Sequence, residues 1–271
     1  MGTFINKSKM CYNLNRGDFM KALITGASSG IGKEIAKYLN EKGMELILVS
    51  RDKTKLTDFA DKLDGSVQTI SMDLSDESNC YRLFDMVSSQ DIDIVVNNAG
   101  FGLIGEFDKT DLSKEIEMIN LNIKTVHILT KLFLEDMVVK DRGYILNVAS
   151  SAAFQPGPLM ATYYSTKAYV LRLTTSIYEE LRRKKSHVVV SVLCPGPVNT
   201  NFNNVAKVEF SMKSLSSSYV AKYAIDEMYK KKLIIIPGFQ MKLLYLLGRI
   251  TPTKLMARIA YNIQKKKKNK I

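Results

Sequence analysis

From Met20 onward the chain alternates between short apolar runs and longer stretches in which apolar residues recur every three or four positions. The apolar runs are Lys21–Thr25, Glu45–Ser50, Val67–Met72, Ile92–Asn97, Gly143–Ala149, Val188–Leu193 and Leu233–Ile236, and each reads as a strand covered on both faces. The stretches between them, near 31–42, 53–63, 76–89, 111–140, 162–185 and 216–231, read as helices. Such alternation predicts a parallel sheet with helices on both faces. Right-handed crossovers make it a doubly wound, Rossmann-type α/β sheet of seven strands, in a single domain over residues 20–240.

The two ends depart from this pattern. Residues 1–19 are polar and aperiodic, an N-terminal extension. Met20 is a candidate native start, because Arg16-Gly17-Asp18 can be encoded by a purine-rich stretch like a bacterial ribosome-binding site. A genuine disordered extension is the alternative. Residues 241–271 form a basic, amphipathic C-terminal tail, where Thr251-Pro252 reads as an N-cap followed by proline at the first helical position. Leu255, Ile259 and Ile263 then recur at helical spacing, beside Lys254 and Arg258.

Composition adds three constraints. Of 271 residues, 46% are hydrophobic and 24% charged, the balance of a globular protein. The net charge of +12 is local: from Lys230 to Ile271 there are twelve Lys or Arg and no Asp or Glu, leaving 27 basic against 27 acidic residues before it. The basicity therefore does not predict nucleic-acid binding by the whole protein. Cys11, Cys80 and Cys194 have neither metal-ligand spacing nor the density of a disulfide framework, so no metal is expected and a reducing compartment fits. No apolar run approaches the ~18 residues of a membrane span, and no leader is recognisable, so a cytoplasmic location is expected. The tail has three readings: a solvated end, a peripheral contact with an anionic membrane, strengthened by Met241-Lys-Leu-Leu-Tyr-Leu-Leu247, or an oligomer contact.

The first candidate chemistry is Thr25-Gly-Ala-Ser-Ser-Gly-Ile-Gly32, which joins the first strand to the first helix. Gly26, Gly30 and Gly32 permit a tight turn and a close backbone approach to a pyrophosphate. The helix N-terminus offers that anion its free N–H groups. The context, strand then helix in the first βα unit, is that of a dinucleotide fingerprint. The second strand ends in Ser50-Arg51-Asp52. An NAD-specific site places a carboxylate at this tip for the ribose 2′-hydroxyl. Arg51 instead offers a guanidinium fork for a 2′-phosphate, with Ser28 and Ser29 as hydroxyl contacts, so NADP(H) is expected in preference to NAD(H). Asp52 could take the ribose role if the strand ran one residue further.

Four motifs in order, Thr25–Gly32, Asn97-Asn-Ala-Gly100, Tyr163-Tyr-Ser-Thr-Lys167 and Pro195-Gly196, make residues 20–240 resemble the short-chain dehydrogenase/reductase family, in the form of an NADP-preferring carbonyl reductase. The resemblance implies a cofactor site that includes Ile31 in the glycine turn, Asp73 and Leu74 beside the adenine, and Asn98, Ala99 and Gly100 along the cofactor. It also implies that Pro195, Gly196, Val198 and Thr200 flank the nicotinamide carboxamide.

The resemblance also implies the catalytic residues. Tyr163 and Lys167 are four residues apart on one helix face. A free tyrosine has a pKa of about 10, and a neighbouring ammonium is expected to lower it. Tyr163 is then the general acid in reduction and the base in oxidation, while Lys167 also holds the nicotinamide ribose. Tyr164 has Ala168 as its i+4 partner, which leaves Tyr163. Ser150, thirteen residues before Tyr163, matches the family spacing, with Ser151 in reserve. Its hydroxyl binds the substrate oxygen where negative charge develops. Of Asn120 and Asn122, Asn122 fits the position that holds a water relaying protons from Lys167. His127 and His187 are not placed to serve Ser150 as a hydrolase base.

A substrate loop over about 198–220, with Phe202, Val205, Val208, Phe210 and Met212, and a wall of Phe154, Leu159 and Met160 predict an apolar pocket. An aliphatic, acyl or aromatic carbonyl, or the corresponding alcohol, is the expected small-molecule substrate. The alternatives are a 3-oxoacyl-thioester reductase and, in another class, a non-catalytic cofactor-sensing or membrane-peripheral module. By family analogy a homo-oligomer, dimer or tetramer, is expected.

Overall fold

The apolar runs form strands β1 (Lys21–Thr25), β2 (Glu45–Ser50), β3 (Val67–Ser71), β4 (Ile94–Asn97), β5 (Tyr144–Val148), β6 (Val189–Leu193), β7 (Val198–Asn199), β8 (Leu215–Ser216) and β9 (Ile234–Ile235). Seven build one parallel sheet in the order β3-β2-β1-β4-β5-β6-β9, while β7 and β8 pair only with each other. The computed structural model describes residues 20–200 and 214–268. The N-terminal extension and Phe202, Val205, Val208, Phe210 and Met212 of the expected substrate loop lie outside the described residues.

The helices are α1 (Gly30–Asn40), α2 (Lys53–Ala60), α3 (Glu77–Val87), α4 (Leu112–Ile119), α5 (Thr125–Lys140), α6 (Ala161–Arg183), α7 (Ser217–Tyr229), α8 (Phe239–Ile250) and α9 (Thr253–Lys268). Strand residues alternate between two cores, as a pleated sheet demands. Ala22 and Ile24 of β1 pack with Ile35 of α1, Phe59 of α2 and Ile225 of α7. Leu23 points the other way, into the core that holds Leu83 of α3 and Phe133 of α5.

The order of the strands creates the site. From β1 the chain winds one way through β2 and β3, then returns to β4 on the other side of β1 and continues outward. The loops after β1 and β4 therefore diverge and open a crevice at the strands' C-terminal ends.

Three features differ from the sequence reading. The single helix expected over 111–140 is two helices joined by a turn of π-helical hydrogen bonding at Asn120–Lys124, where the Thr125 N–H donates to the Asn120 carbonyl. The β7–β8 pair was not anticipated, because two-residue strands leave no periodicity to read. The tail folds into α8 and α9, and α9 begins just after Pro252, one residue later than expected.

A buried polar chain links β4 and β5 to the helices behind them. Asn147 Oδ1 accepts from Asn97 Nδ2 at 2.8 Å and from Thr130 Oγ1 at 3.1 Å, and Asn147 Nδ2 donates to Thr174 Oγ1 at 3.0 Å. All four residues are buried. Asn147→Ala removes three buried hydrogen bonds worth about 1 kcal/mol each, so the variant is predicted to lose about 3 kcal/mol in chemical denaturation. A loss below about 1 kcal/mol contradicts the assignment.

Candidate active site

The turn between β1 and α1 is shaped by contacts that exclude side chains. Gly26 has φ +65° and Gly30 φ +58°, where L-residues are strained. A Cβ on Gly26 would lie 2.8 Å from Asn98 Nδ2, and one on Gly32 only 2.4 Å from the same atom. Asn98 is held there because its Nδ2 donates to the carbonyls of Thr25 (3.0 Å) and Gly26 (3.2 Å). The Thr25 hydroxyl completes the join by accepting from the N–H groups of Asn98 (2.9 Å) and Ala99 (3.0 Å) and donating to the Val96 carbonyl (3.3 Å). Asp52, Asp76 and Asp111 cap α2, α3 and α4 through their carboxylates, whereas α1 has no side-chain cap and no acid in its first turn. Its N–H groups face the cavity mouth, where Ser28, Ser29, Gly30 and Ile31 line the wall. This glycine cradle fits a dinucleotide pyrophosphate.

At the tip of β2, the Ser28 and Ser50 hydroxyls lie 2.8 Å apart. Arg51 lines the same end of the cavity, with Nη1 3.0 Å from Glu117 Oε1 and 3.9 Å from Asp73 Oδ2. Asp52 is committed elsewhere: its carboxylate accepts from Lys55 N at 3.0 Å and lies 2.6 Å from Lys55 Nζ, and these contacts hold its pKa below the usual aspartate value. The strand ends at Ser50, and Asp52 lies off the cavity wall at the N-cap of α2.

The catalytic candidates converge from three elements. Ser150 follows β5, and its Oγ accepts from Ala152 N at 3.1 Å. Tyr163 and Lys167 project from α6, buried, with Lys167 Nζ 5.9 Å from the Tyr163 ring centre. Ser150 lies close enough to Tyr163 to lower the phenol's pKa, which sets it apart from its neighbour Ser151 although both line the cavity. Asn122 lies one layer back, fully buried in the π turn. It donates to the Phe101 carbonyl (2.9 Å) and Thr166 Oγ1 (3.1 Å) and accepts from Phe101 N (3.1 Å). A Cβ on Gly100 would come within 2.7 Å of Asn122 Oδ1 and 3.4 Å of Lys167 Nζ, so Gly100 is what lets these groups approach.

The electrostatics overturn one expectation. Burial pushes the Tyr163 phenol well above the ordinary tyrosine range, and the Ser150 hydrogen bond offsets this only in part. Burial also pulls Lys167 down to about 8. Its ammonium donates to the Val148 carbonyl at 3.0 Å rather than to the phenol. Desolvation dominates the phenol, and the group that offsets it is Ser150 rather than Lys167.

Together these groups line one cavity of about 710 Å³. Of the residues expected at the cofactor, Leu74, Asn98, Ala99, Gly100, Pro195, Gly196, Val198 and Thr200 are on its wall. Gly32, Asp73 and Asn122 are not. Gly32 packs against Asn98, and the Asp73 carboxylate closes its own turn by accepting from Ser75 N (3.0 Å) and Ser75 Oγ (2.8 Å). Met160 lines the cavity, whereas Phe154 packs on Tyr245 of α8 at 4.7 Å between ring centres and Leu159 is buried off the wall. The sequence reading missed the roof. Leu243, Leu244 and Leu247 of α8 and Met256, Ile259 and Ile263 of α9 line the same cavity as Tyr163 and Tyr164. Gln264 Nε2 fastens α9 down by donating to the Tyr164 hydroxyl at 2.5 Å. His127 hydrogen-bonds Tyr169 and His187 hydrogen-bonds Asp141, both at the surface and away from Ser150.

Residues 20–209 match the short chain dehydrogenase family. An uncharacterised oxidoreductase of Staphylococcus epidermidis is 36% identical over 182 residues, covering 66% of this chain and 78% of that one. The very-long-chain 3-oxoacyl-CoA reductase of Anas platyrhynchos is 33% identical over 208 residues, 73% of this chain, and the match spans just under two thirds (66%) of its length. The structure of a short-chain dehydrogenase from Sphingobium yanoikuyae in complex with NADPH is similar with a TM-score of 0.78 and 26% identity, over 85% of this chain and 93% of that one. The chain belongs to the short-chain dehydrogenase family and is an NAD(P)-dependent oxidoreductase.

Proposed function

We propose that the enzyme interconverts a carbonyl and a secondary alcohol on an apolar substrate, prefers NADP(H), and uses Tyr163 as its acid and base. The observation that carries this reading is that Ser150, Tyr163 and Lys167 line one largely apolar cavity, with Lys167 Nζ 5.9 Å from the Tyr163 ring centre and one helical turn along α6. When bound, the nicotinamide supplies or accepts the hydride and, when oxidised, adds a positive charge that favours the phenolate.

The chain's own residues do the rest. Ser150 Oγ orients the carbonyl oxygen and stabilises the charge that develops on it. The Tyr163 hydroxyl gives that oxygen its proton in reduction and takes it back in oxidation. Lys167, drawn towards neutrality by burial, holds the ribose side of the cofactor and replenishes the phenol. Asn122 fixes the Phe101 backbone and Thr166 behind these groups, a positioning task. Arg51 supports NADP(H), because no carboxylate at the β2 tip is available to a ribose hydroxyl: Asp52 caps α2. A guanidinium carries five donors, so its contact with Glu117 uses only part of its capacity.

A second reading, a 3-oxoacyl thioester as substrate, is favoured by the six-residue aliphatic roof, long enough to line an acyl chain, and by the likeness to a very-long-chain 3-oxoacyl-CoA reductase. A panel of ketones and 3-oxoacyl thioesters of graded chain length, assayed with NADPH and NADH, tests both readings. Turnover is predicted to favour NADPH, to rise with apolar chain length, and to fall at least about a hundredfold in Tyr163→Phe. Arg51→Ala is predicted to erase the cofactor preference. Unchanged turnover in Tyr163→Phe contradicts the acid–base role.

Lys167 also gives a pH signature. Folded, it releases its proton near 8 instead of 10.5, so below about pH 8 the chain carries a buried charge that the unfolded state solvates. Between these values the unfolded state binds more protons, and stability rises with pH. Lys167→Met is therefore predicted to be more stable than the parent at neutral pH, with the gap closing from pH 8 towards 10.5. Denaturant titrations across that range check this, and a gap independent of pH contradicts it.

A further inference from the structure

The roof helices bury one face and leave a second apolar face uncovered. In α9, Met256, Ala260 and Gln264 are buried against the domain, while Leu255, Ile259 and Ile263 form a parallel stripe that is exposed. In α8, Met241 is buried, and Phe239, Leu243, Leu246 and Ile250 recur along an exposed stripe. Leu246 (58% exposed), Ile250 (78%) and Leu255 (49%) are not on the cavity wall, so they face outward. Leu243, Leu247, Ile259 and Ile263 belong to both surfaces, since each lines the cavity and is exposed. The apolar stripes therefore meet at the rim of the cavity.

Charge decides what such a face can meet. Lys242, Arg249, Lys254, Arg258 and Lys265 lie exposed on the same two helices, and none forms a salt bridge among the described residues. No acidic residue occurs anywhere from Lys230 to the end of the chain. A second copy is a poor occupant, because a two-fold interface would set these cations against themselves. Apolar side chains flanked by uncompensated lysine and arginine instead match the boundary of an anionic bilayer, where acyl chains take the apolar stripe and headgroups take the cations. No helix among the described residues is long and apolar enough to cross a membrane, so the contact is interfacial.

We propose that the α8–α9 face docks on an anionic lipid surface and turns the rim of the cavity towards the bilayer. An apolar substrate dissolved in the lipid then reaches the cavity without crossing water. The docking stands on its own; the delivery of substrate rests on the reading of the cavity as the substrate site.

Flotation of the full-length protein with vesicles of phosphatidylcholine alone, and with about one third phosphatidylglycerol, tests the docking. Recovery is expected to be at least about fivefold higher with the anionic vesicles and to fall when salt is raised. Two variants that leave the cavity wall intact, Leu246→Glu/Ile250→Glu/Leu255→Glu and Lys254→Glu/Arg258→Glu, are each expected to lose about tenfold in recovery while keeping turnover of a water-soluble carbonyl. Equal recovery from both vesicle types, or variants that float like the parent, overturns the proposal. So does a concentration-dependent dimer in light scattering that the triple variant disrupts while the parent fails to float. A chain that floats but turns over no carbonyl leaves docking intact and breaks the functional reading alone.

Discussion

The site depends on a clasp between two parallel strands. One hydroxyl, Thr25 Oγ1, and one amide, Asn98 Nδ2, tie the end of β1 to the end of β4 with five hydrogen bonds of 2.9 to 3.3 Å. At this point the chain's winding reverses, and these bonds hold the two diverging loops together at their roots. The clasp brings the Asn98 side chain so close to Gly26 and Gly32 that neither tolerates a Cβ without displacement. The glycine pattern is thus required first by the protein's own packing, and the space left beside the α1 N-terminus is what a pyrophosphate can use.

The same economy of space governs the chemistry. Gly100 carries no Cβ, so Asn122 and Lys167 can crowd behind the loop that carries the cofactor contacts. That crowding removes water from Tyr163 and Lys167, and desolvation then sets their acidity in opposite directions. A phenol raised and an ammonium lowered move apart in proton affinity, so a proton on Lys167 passes downhill to a phenolate at Tyr163.

Much of this was legible in the amino-acid sequence because it is local. Strand ends, the glycine turn and the Tyr163–Lys167 spacing each follow from residues within one or two turns of each other, whereas Ser150 was chosen by its thirteen-residue spacing from Tyr163 in the family pattern. What was not legible depends on tertiary placement. The π turn at Asn120–Lys124 inserts one residue into a helix without altering its composition, so 111–140 read as continuous. The amphipathic tail showed that α8 and α9 need a partner but not that the partner is the rim of the active site. The Gln264–Tyr164 contact joins residues a hundred positions apart. Nor was it legible that Asp73 closes its own turn and Gly32 packs on Asn98, both off the cavity wall.

The central claim is that the strand clasp shapes the seat of the dinucleotide. Calorimetric titration of NADPH into the parent and into Thr25→Val tests it most directly, since valine keeps the volume and removes every bond the hydroxyl makes. The account predicts one NADPH site per parent chain and at least about tenfold weaker binding in a variant whose circular dichroism shows an intact fold. Equal affinity in the two proteins, or no binding by the parent, contradicts it.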